Sequence, residues 1–466
     1  MSPLHLCVHG HFYQPPREDP FTRQVRREVE AVPYHDFNEK ITAECYRPNA
    51  ELGNFERMSF DLGPTLARWL ARRAAPTLRR IQESEREHVR QFGASNALAL
   101  PYNHTILPLG NRSEKRVQIA WGVTDYEHRF GHAPEGMWLP ETAVDLETLR
   151  LLADAGVQYT ILAPWQAAAP VDPSEPYRVD LEDGRSLAVF FYHGAMSGSI
   201  SFDPRVTANA DEFSATSLAA AANPAKRARG EPQILLVATD GEFYGHHQPW
   251  RDYFLARLLT ESAPAHGWTV TSLGAYLQRY PPRATIGIRQ RTSWSCQHGV
   301  TRWSTGCACT EGESAWKGHL RQALDQLADQ LDLLYTQEAG KLLQDPWGAL
   351  AGYLAVRLGR ETLPAFLERH GGSLARVAAH TLVYWLESQY YRQLMLTSCA
   401  TFFDDLARVE PRNSVAYAAR ALSFLPTRWR QPLEHEFVQT LQQARSWRSS
   451  QTGIDLYREV MATAPG

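Results

Sequence analysis

The sequence predicts an α/β fold, an incomplete (β/α)7 barrel followed by an α-helical C-terminal domain. Three observations carry this expectation. Seven short apolar runs precede residue 280, and helix-patterned segments lie between several of them. Polar or aromatic residues recur just past the ends of those runs. From about residue 311 a third pattern takes over, with leucines at helical spacing.

The runs are LHLCVHG (4–10), ALALPYN (97–103), GMWLPE (136–141), QYTILAP (158–164), LAVFFYH (187–193), QILLVATD (233–240) and WTVTSLG (268–274). Most are continuously apolar rather than alternating, as expected of parallel strands covered on both faces. Residues 63–92 carry a helical pattern with Pro64 near its start, and 145–156 carry another that closes on Gly156. Such alternation suits either a βα barrel or a doubly wound sheet. The barrel is favoured because His9, His11, Asn103, His104, Glu141, Trp165, His193 and Asp240 all follow strand-like runs. In a barrel, strand ends of one polarity converge on one mouth. Seven strands instead of eight make that barrel incomplete.

Its expected extent is 1–285, with the Pro-rich start of 15–60 leading an excursion over the mouth. The expected helical domain is 286–466, contributing to the cleft. There Leu320, Leu324, Leu327, Leu331 and Leu334 mark a 4-3-4-3 seam, and further helical patterns cover about 347–369, 373–408 and 412–445.

Hydrophobic content of 44% and charged content of 21% describe an ordinary globular chain of 466 residues. A net charge of −3 offers no footprint for nucleic acid or an anionic membrane. The basic stretch AKRARG (225–230) reads as a solvated loop. No run approaches the ~18 apolar residues of a membrane span. The start MSPLHLCVHG lacks a secretory pattern, and six cysteines are too few for a disulfide scaffold. A reducing cytoplasm is the expected location. The 13 Trp, 19 Tyr and 18 Phe are the informative excess, since flat rings beside carboxylates suit sugar faces.

Two carboxylates stand out. Glu141 and Asp240 each end a strand-like run, so both are expected at the same rim. Paired acids there suit glycosidic-bond chemistry, one carboxylate meeting the anomeric carbon and one acid protonating the leaving oxygen. Capping and structural ion pairs are the plainer explanations of acids at such positions.

Five segments, taken in order, give the pair a context. HGHFYQP (9–15), YNHTILPL (102–109), WLPE (138–141), TDGEFYGHH (239–247) and SWSCQHGVTRW (293–303) together resemble the signatures of glycoside hydrolase family 57. The first carries two extra residues before Gln14. PYHDFNEKITAECYRPNAE (33–51), MSFDLGPTL (58–66) and LMLTSCATFFDD (394–405) resemble a subgroup with a C-terminal extension termed DUF3536.

The resemblance implies a (β/α)7 barrel with a helical domain, Glu141 as nucleophile and Asp240 as general acid/base. It also implies sugar contacts from His9 and His11, with Trp138 shaping the subsite. Gln14, His104, Trp165, His193, Glu242, Trp294 and Trp303 complete the expected substrate contacts. For a retaining mechanism the two carboxyl groups should lie about 5–6.5 Å apart. The implied reaction is hydrolysis or transfer on an α-glucan through a glycosyl-enzyme, of amylase or 4-α-glucanotransferase type, with branching as an alternative and no cofactor.

Other readings stand beside it. Glu242, His246 and His247 suit loop support as well as binding. A metal-dependent deacetylase or mannosidase-like enzyme would use His9, His11, Asp240 and a later His as ligands. A catalytically silent glucan-binding protein would need neither acid. Cys296, His298, Cys307 and Cys309 give C-x-H-x8-C-x-C, a set of soft donors that zinc takes. Its one-residue spacings are tighter than the usual knuckle and no second knuckle follows, which favours a thiol cluster or a disulfide over a metal.

Overall fold

The computed structural model describes residues 3–372 and 374–464. The chain forms two compact units, each built from separated stretches. The first comprises Met1–Gln14, Arg27–Leu100 and Arg129–Trp294; the second comprises Pro15–Arg26, Pro101–His128 and Ser295–Gly466.

Among the described residues the first unit holds nine strands: β1 (Leu4–Phe12), β2 (Ser59–Leu62), β3 (Ala97–Leu98), β4 (Tyr159–Leu162), β5 (Tyr177–Asp180), β6 (Ser186–Phe191), β7 (Gln233–Asp240), β8 (Trp268–Val270) and β9 (Ala284–Thr285). One sheet runs β3-β2-β1-β7 and is parallel throughout. In the other, β4 and β6 are parallel neighbours. Short links join the sheets into a barrel. Ala99 bridges Met137, and Gly136 bridges Tyr159 of β4, both in parallel sense. On the far side His193 N, just past β6, donates to Leu236 O of β7 at 2.7 Å.

The seven staves are therefore β1, β2, β3, residues 136–138, β4, β6 and β7. The place beside the start of β6 is taken by antiparallel β5, so β7 reaches only past its end. This set differs from the expected one. SFDL of β2 is too short and too interrupted by Asp61 to read as an apolar run, yet it is a stave. Trp268–Val270 of β8 pairs only with Leu4–Leu6.

Strand alternation fills the barrel. Cys7, Leu98, Leu100, Trp138, Tyr159, Ile161, Ala163, Ala188, Phe190, Tyr192, Ile234, Leu236 and Ala238 form one buried cluster. Along each strand these are every second residue, the spacing that keeps a side chain on one face. The helix expected over 63–92 is two, Pro64–Arg73 and Ala75–Phe92, because Pro76 has no N–H to continue the first. Asp145 caps the helix Leu146–Asp154 by accepting from Thr148 N at 2.7 Å.

The second unit is helical. Trp316–Ala339 buries Leu320, Leu324, Leu327 and Leu331, as the seam predicts. It packs with Arg376–Leu394, Val409–Ser423 and Thr427–Leu441 around one apolar cluster. The pattern over 412–445 is split at Pro426, and that over 347–369 at Gly359, which has φ +72°. No described helix is long and apolar enough to cross a membrane.

Inside this unit Arg392 is almost fully buried between two acids, Glu114 Oε2 at 2.9 Å and Asp332 Oδ2 at 2.7 Å. Removing the cation would strand two carboxylates away from water. Arg392→Ala should lower stability by about 3–5 kcal/mol, read as a fall in the urea unfolding midpoint.

Candidate active site

The register of three neighbouring strands assembles the first part of the site. His11 of β1 lies opposite Asp61 of β2 on one side and Asp240 of β7 on the other. Alternation places these three side chains on the face that Cys7 and Leu236 share with the barrel interior, at its C-terminal end. One layer deeper, His9 lies between Ser59 and Ala238.

Asp61 is fully buried and accepts from both imidazoles, His9 Nε2 at 3.2 Å and His11 Nδ1 at 2.8 Å. Burial would raise its pKa, but the two histidines outweigh that and hold it below the usual carboxylate range. For His11, burial favours the neutral ring; Asp61, Asp240 and Glu242 override it and lift the pKa to about 9. His9 goes the other way, its pKa lowered by burial despite Asp61. A neutral His9 donates from Nε2 to Asp61 and accepts at Nδ1 from Ser59 Oγ at 3.1 Å.

Asp240 ends β7 with its side chain open to solvent. No described residue donates a hydrogen bond to its carboxylate. Surrounding protein nonetheless raises its pKa by desolvation, a shift opposed by His11 and His247 and reinforced by Asp61. Exposure together with desolvation is what a carboxyl group meets when it lines a concave wall. Glu242 faces inward instead. Its Oε1 accepts from Tyr46 Oη at 2.6 Å, Tyr13 N at 3.2 Å and Gln14 Nε2 at 3.4 Å. Burial pushes its pKa up to about 7, with Asp240 adding to the shift and Tyr46 opposing it.

The helical segment 37–51 packs on the turn after β7. Asn49 Nδ2 donates to Tyr244 O at 2.7 Å, and His246 Nδ1 meets Glu44 Oε2 at 2.5 Å. Gly245 has φ +134°, and a Cβ there would stand 2.4 Å from Glu44 O, so this turn requires glycine. Glu242 and His246 thus serve as loop supports.

Glu141 sits on a strained turn. It has φ 58° and the β-branched Thr142 has φ 48°, left-handed conformations unfavourable for such residues. Gln166, fully buried, clamps the turn. Its Oε1 accepts from Thr142 Oγ1 at 2.8 Å, and its Nε2 donates to Thr142 O at 2.8 Å and Thr292 O at 3.1 Å. Trp294 closes the other side, donating from N to Glu141 O at 3.0 Å and from Nε1 to Glu141 Oε2 at 3.0 Å.

An aromatic wall connects the two halves. Trp294 meets Trp138 edge-on with centroids 4.9 Å apart and His11 at 6.3 Å. Trp138 stacks on His9 and His11 at 4.8 and 5.2 Å. Glu141, Trp294, Trp138, His11, Asp61 and Asp240 therefore form one chain of contacts within the first unit.

Several of the residues expected to contact sugar are buried in the structure. Trp138 and His9 are fully buried, so both back His11 and Asp61 rather than offer open faces. Trp303, in the second unit, is fully buried against Phe402 and is a packing residue. His104 is buried there as well, with Nδ1 2.6 Å from Ser398 Oγ. His193 caps the helix Gly194–Phe202 by accepting from Met196 N at 3.2 Å. Trp165 is open, 47% exposed, with its indole N–H fixed on Ser293 O at 3.0 Å. Asp61, Tyr46 and Gln166 were missed by the sequence reading. An acid inside the apolar SFDL was the signal available for Asp61.

Residues 22–289 match the family model described as glycosyl hydrolase family 57. Residues 313–465 match a domain of unknown function, DUF3536. Alpha-amylase 1 of Dictyoglomus thermophilum is 24% identical over 208 residues, 41% of this chain and 28% of that protein's length. The chain thus matches little more than a quarter of that relative. Among solved structures, an exo-type maltose-forming amylase from Pyrococcus sp. ST04 superposes with TM-score 0.78 at 16% identity, covering 98% of this chain and 88% of the other. A branching enzyme from Pyrococcus horikoshii gives TM-score 0.60 at 14% identity, covering 98% and 94%. At such identities these structures establish the shared fold, the incomplete barrel with a helical C-terminal region.

The charge arrangement around Asp61 has a measurable consequence. A His11 pKa of about 9, above the ordinary 6.5, contributes stability that is complete below pH 6.5 and lost as pH rises through 9. Asp61→Asn should bring the His11 titration, followed by histidine NMR, down toward the ordinary imidazole range. It should also flatten the loss of thermal stability between pH 6.5 and 9.

Proposed function

Because the chain belongs to glycosyl hydrolase family 57, we propose that it is an α-glucan-active enzyme that cleaves or transfers α-linked glucosyl units by retaining double displacement. The observation that carries this reading is the layer Asp61–His11–Asp240 at the barrel mouth, linked through Trp138 and Trp294 to Glu141. It joins a solvent-open acid to a second carboxylate held on a rigid turn.

In the first step Glu141 attacks the anomeric carbon while Asp240 gives its proton to the departing glycosidic oxygen. Desolvation raises the Asp240 pKa and so favours the protonated form that this step uses. The strained turn, Gln166 and the Trp294 indole orient the Glu141 carboxylate in advance of the reaction. In the second step Asp240, now a base, takes a proton from the acceptor as it attacks the glycosyl-enzyme. Water gives hydrolysis, a sugar 4-hydroxyl gives chain transfer, and a 6-hydroxyl gives a branch. Trp165 supplies a stacking face for a neighbouring glucosyl unit. The six cysteines, too few for a disulfide scaffold, fit a protein of the reducing cytoplasm.

The metal-dependent alternative is disfavoured by hydrogen bonding. Both His9 nitrogens and Nδ1 of His11 are already engaged with Ser59 and Asp61, so three imidazole nitrogens of this layer are committed to protein partners rather than to an ion.

Incubation with maltoheptaose and amylose should yield new oligosaccharides. Longer chains report transfer, short chains alone report hydrolysis, and α-1,6 linkages report branching. Unchanged substrate would overturn the reading. Glu141→Gln should abolish turnover while leaving the circular dichroism spectrum unchanged. Asp240→Ala should slow turnover by about 10²–10⁴-fold. Azide should then restore turnover on an activated glucoside and give the α-glucosyl azide, because it attacks the β-linked glycosyl-enzyme. A β-azide product would exclude the retaining route.

A further inference from the structure

The segment 296–309 in the second unit takes no part in the chemistry proposed above. It wraps around a four-residue helix, Thr301–Ser304, and returns on itself. One ligand-capable atom each from Cys296, His298, Cys307 and Cys309 converge, all within 4.8 Å of one another. Cys296 Sγ lies 3.5 Å from Cys307 Sγ and 3.9 Å from Cys309 Sγ, and Cys309 Sγ lies 3.3 Å from His298 Nδ1.

We propose that Cys296, His298, Cys307 and Cys309 form a structural zinc site. The donor set is Cys3His, one of the closed tetrahedral sets of structural zinc. The spacing agrees with it. Zinc–sulfur bonds of about 2.3 Å put tetrahedral sulfurs about 3.8 Å apart and place a nitrogen slightly closer to each. A disulfide would join only two of the three sulfurs and would not explain why the third and an imidazole meet at the same point.

The surrounding chain fits a loop that a metal would staple. Gly299 N donates to Cys296 O at 3.0 Å and Thr310 N to Cys307 O at 3.4 Å, so each ligand pair closes its own turn. Arg302 donates to Cys309 O at 2.8 Å and lies over the Phe402 ring at 4.7 Å, tying the turn to the helical core. Gly306 has φ +85°, and a Cβ there would stand 2.4 Å from Ser314 O. Between Thr305 and Ala315 no regular element holds the chain. Four protein ligands leave no open position on the ion, which assigns it to folding rather than to catalysis. Binding would release protons as the coordinating thiols become thiolates. The one-residue C-x-H and C-x-C spacings are workable here because the ligands come from two turns brought together by the intervening helix.

The full chain, purified under reducing conditions, should carry one zinc per molecule by plasma mass spectrometry. After chelation, cobalt(II) added to the reduced protein should bind with one equivalent and give the thiolate charge-transfer and tetrahedral d–d bands. Cys307→Ser and Cys309→Ser should each weaken zinc binding by about tenfold or more. Should a variant fail to fold, the cobalt titration of the wild-type chain decides the matter alone. Reduced wild-type protein that takes up neither zinc nor cobalt, or a cobalt spectrum without a thiolate band, would overturn the site. So would stoichiometric zinc retained by the triple cysteine-to-serine variant. None of these readouts depends on carbohydrate activity, so the zinc site and the proposed reaction stand or fall separately.

Discussion

A carboxylate buried inside a barrel must be neutralised or paired, and the mouth of this one is organised around how Asp61 meets that demand. Burying an unpaired carboxylate would cost several kcal/mol. Asp61 avoids this by accepting from two histidines on the adjacent strand, of which His11 is the one whose charged form is favoured. The positive charge then lies beside Asp240 and Glu242 and limits how far burial raises both. Any change at Asp61 would move three neighbours. The pair of acids first noticed in the sequence is thus part of a larger charge network.

The second constraint is geometric. Left-handed conformations at Glu141 and Thr142 are sustained by Gln166, whose amide is shared among five backbone or hydroxyl partners. Such strain persists only where surrounding contacts over-determine the chain, and it fixes a side chain within narrow limits. Trp294 joins this turn to Trp138, and through it to His11. Placement of the two acids is therefore a property of packing among buried side chains.

Much of this was legible from residue order. Continuous apolar runs ending in polar residues predicted parallel strands with a polar rim, and the 4-3-4-3 leucines predicted the helix Trp316–Ala339. Short elements were less legible. β2 has four residues with an aspartate inside, and residues 136–138 contribute single bridges, so neither stands out by periodicity. Tryptophans misled for a related reason: sequence reports an aromatic ring but not its neighbours. Trp138 and Trp303 are buried while Trp165 is open, although Trp303 and Trp165 both have polar neighbours in the chain.

The sequence by itself determined the strand periodicity, the acids at strand ends, the helical seam and the soft donors at 296–309, because these depend on local spacing. Only the tertiary structure decided that Asp61 belongs beside His11, that Gln166 holds the Glu141 turn, and that three sulfurs and an imidazole converge. Those contacts join residues from distant strands or separate turns, and register and loop closure are set by packing that no local pattern encodes.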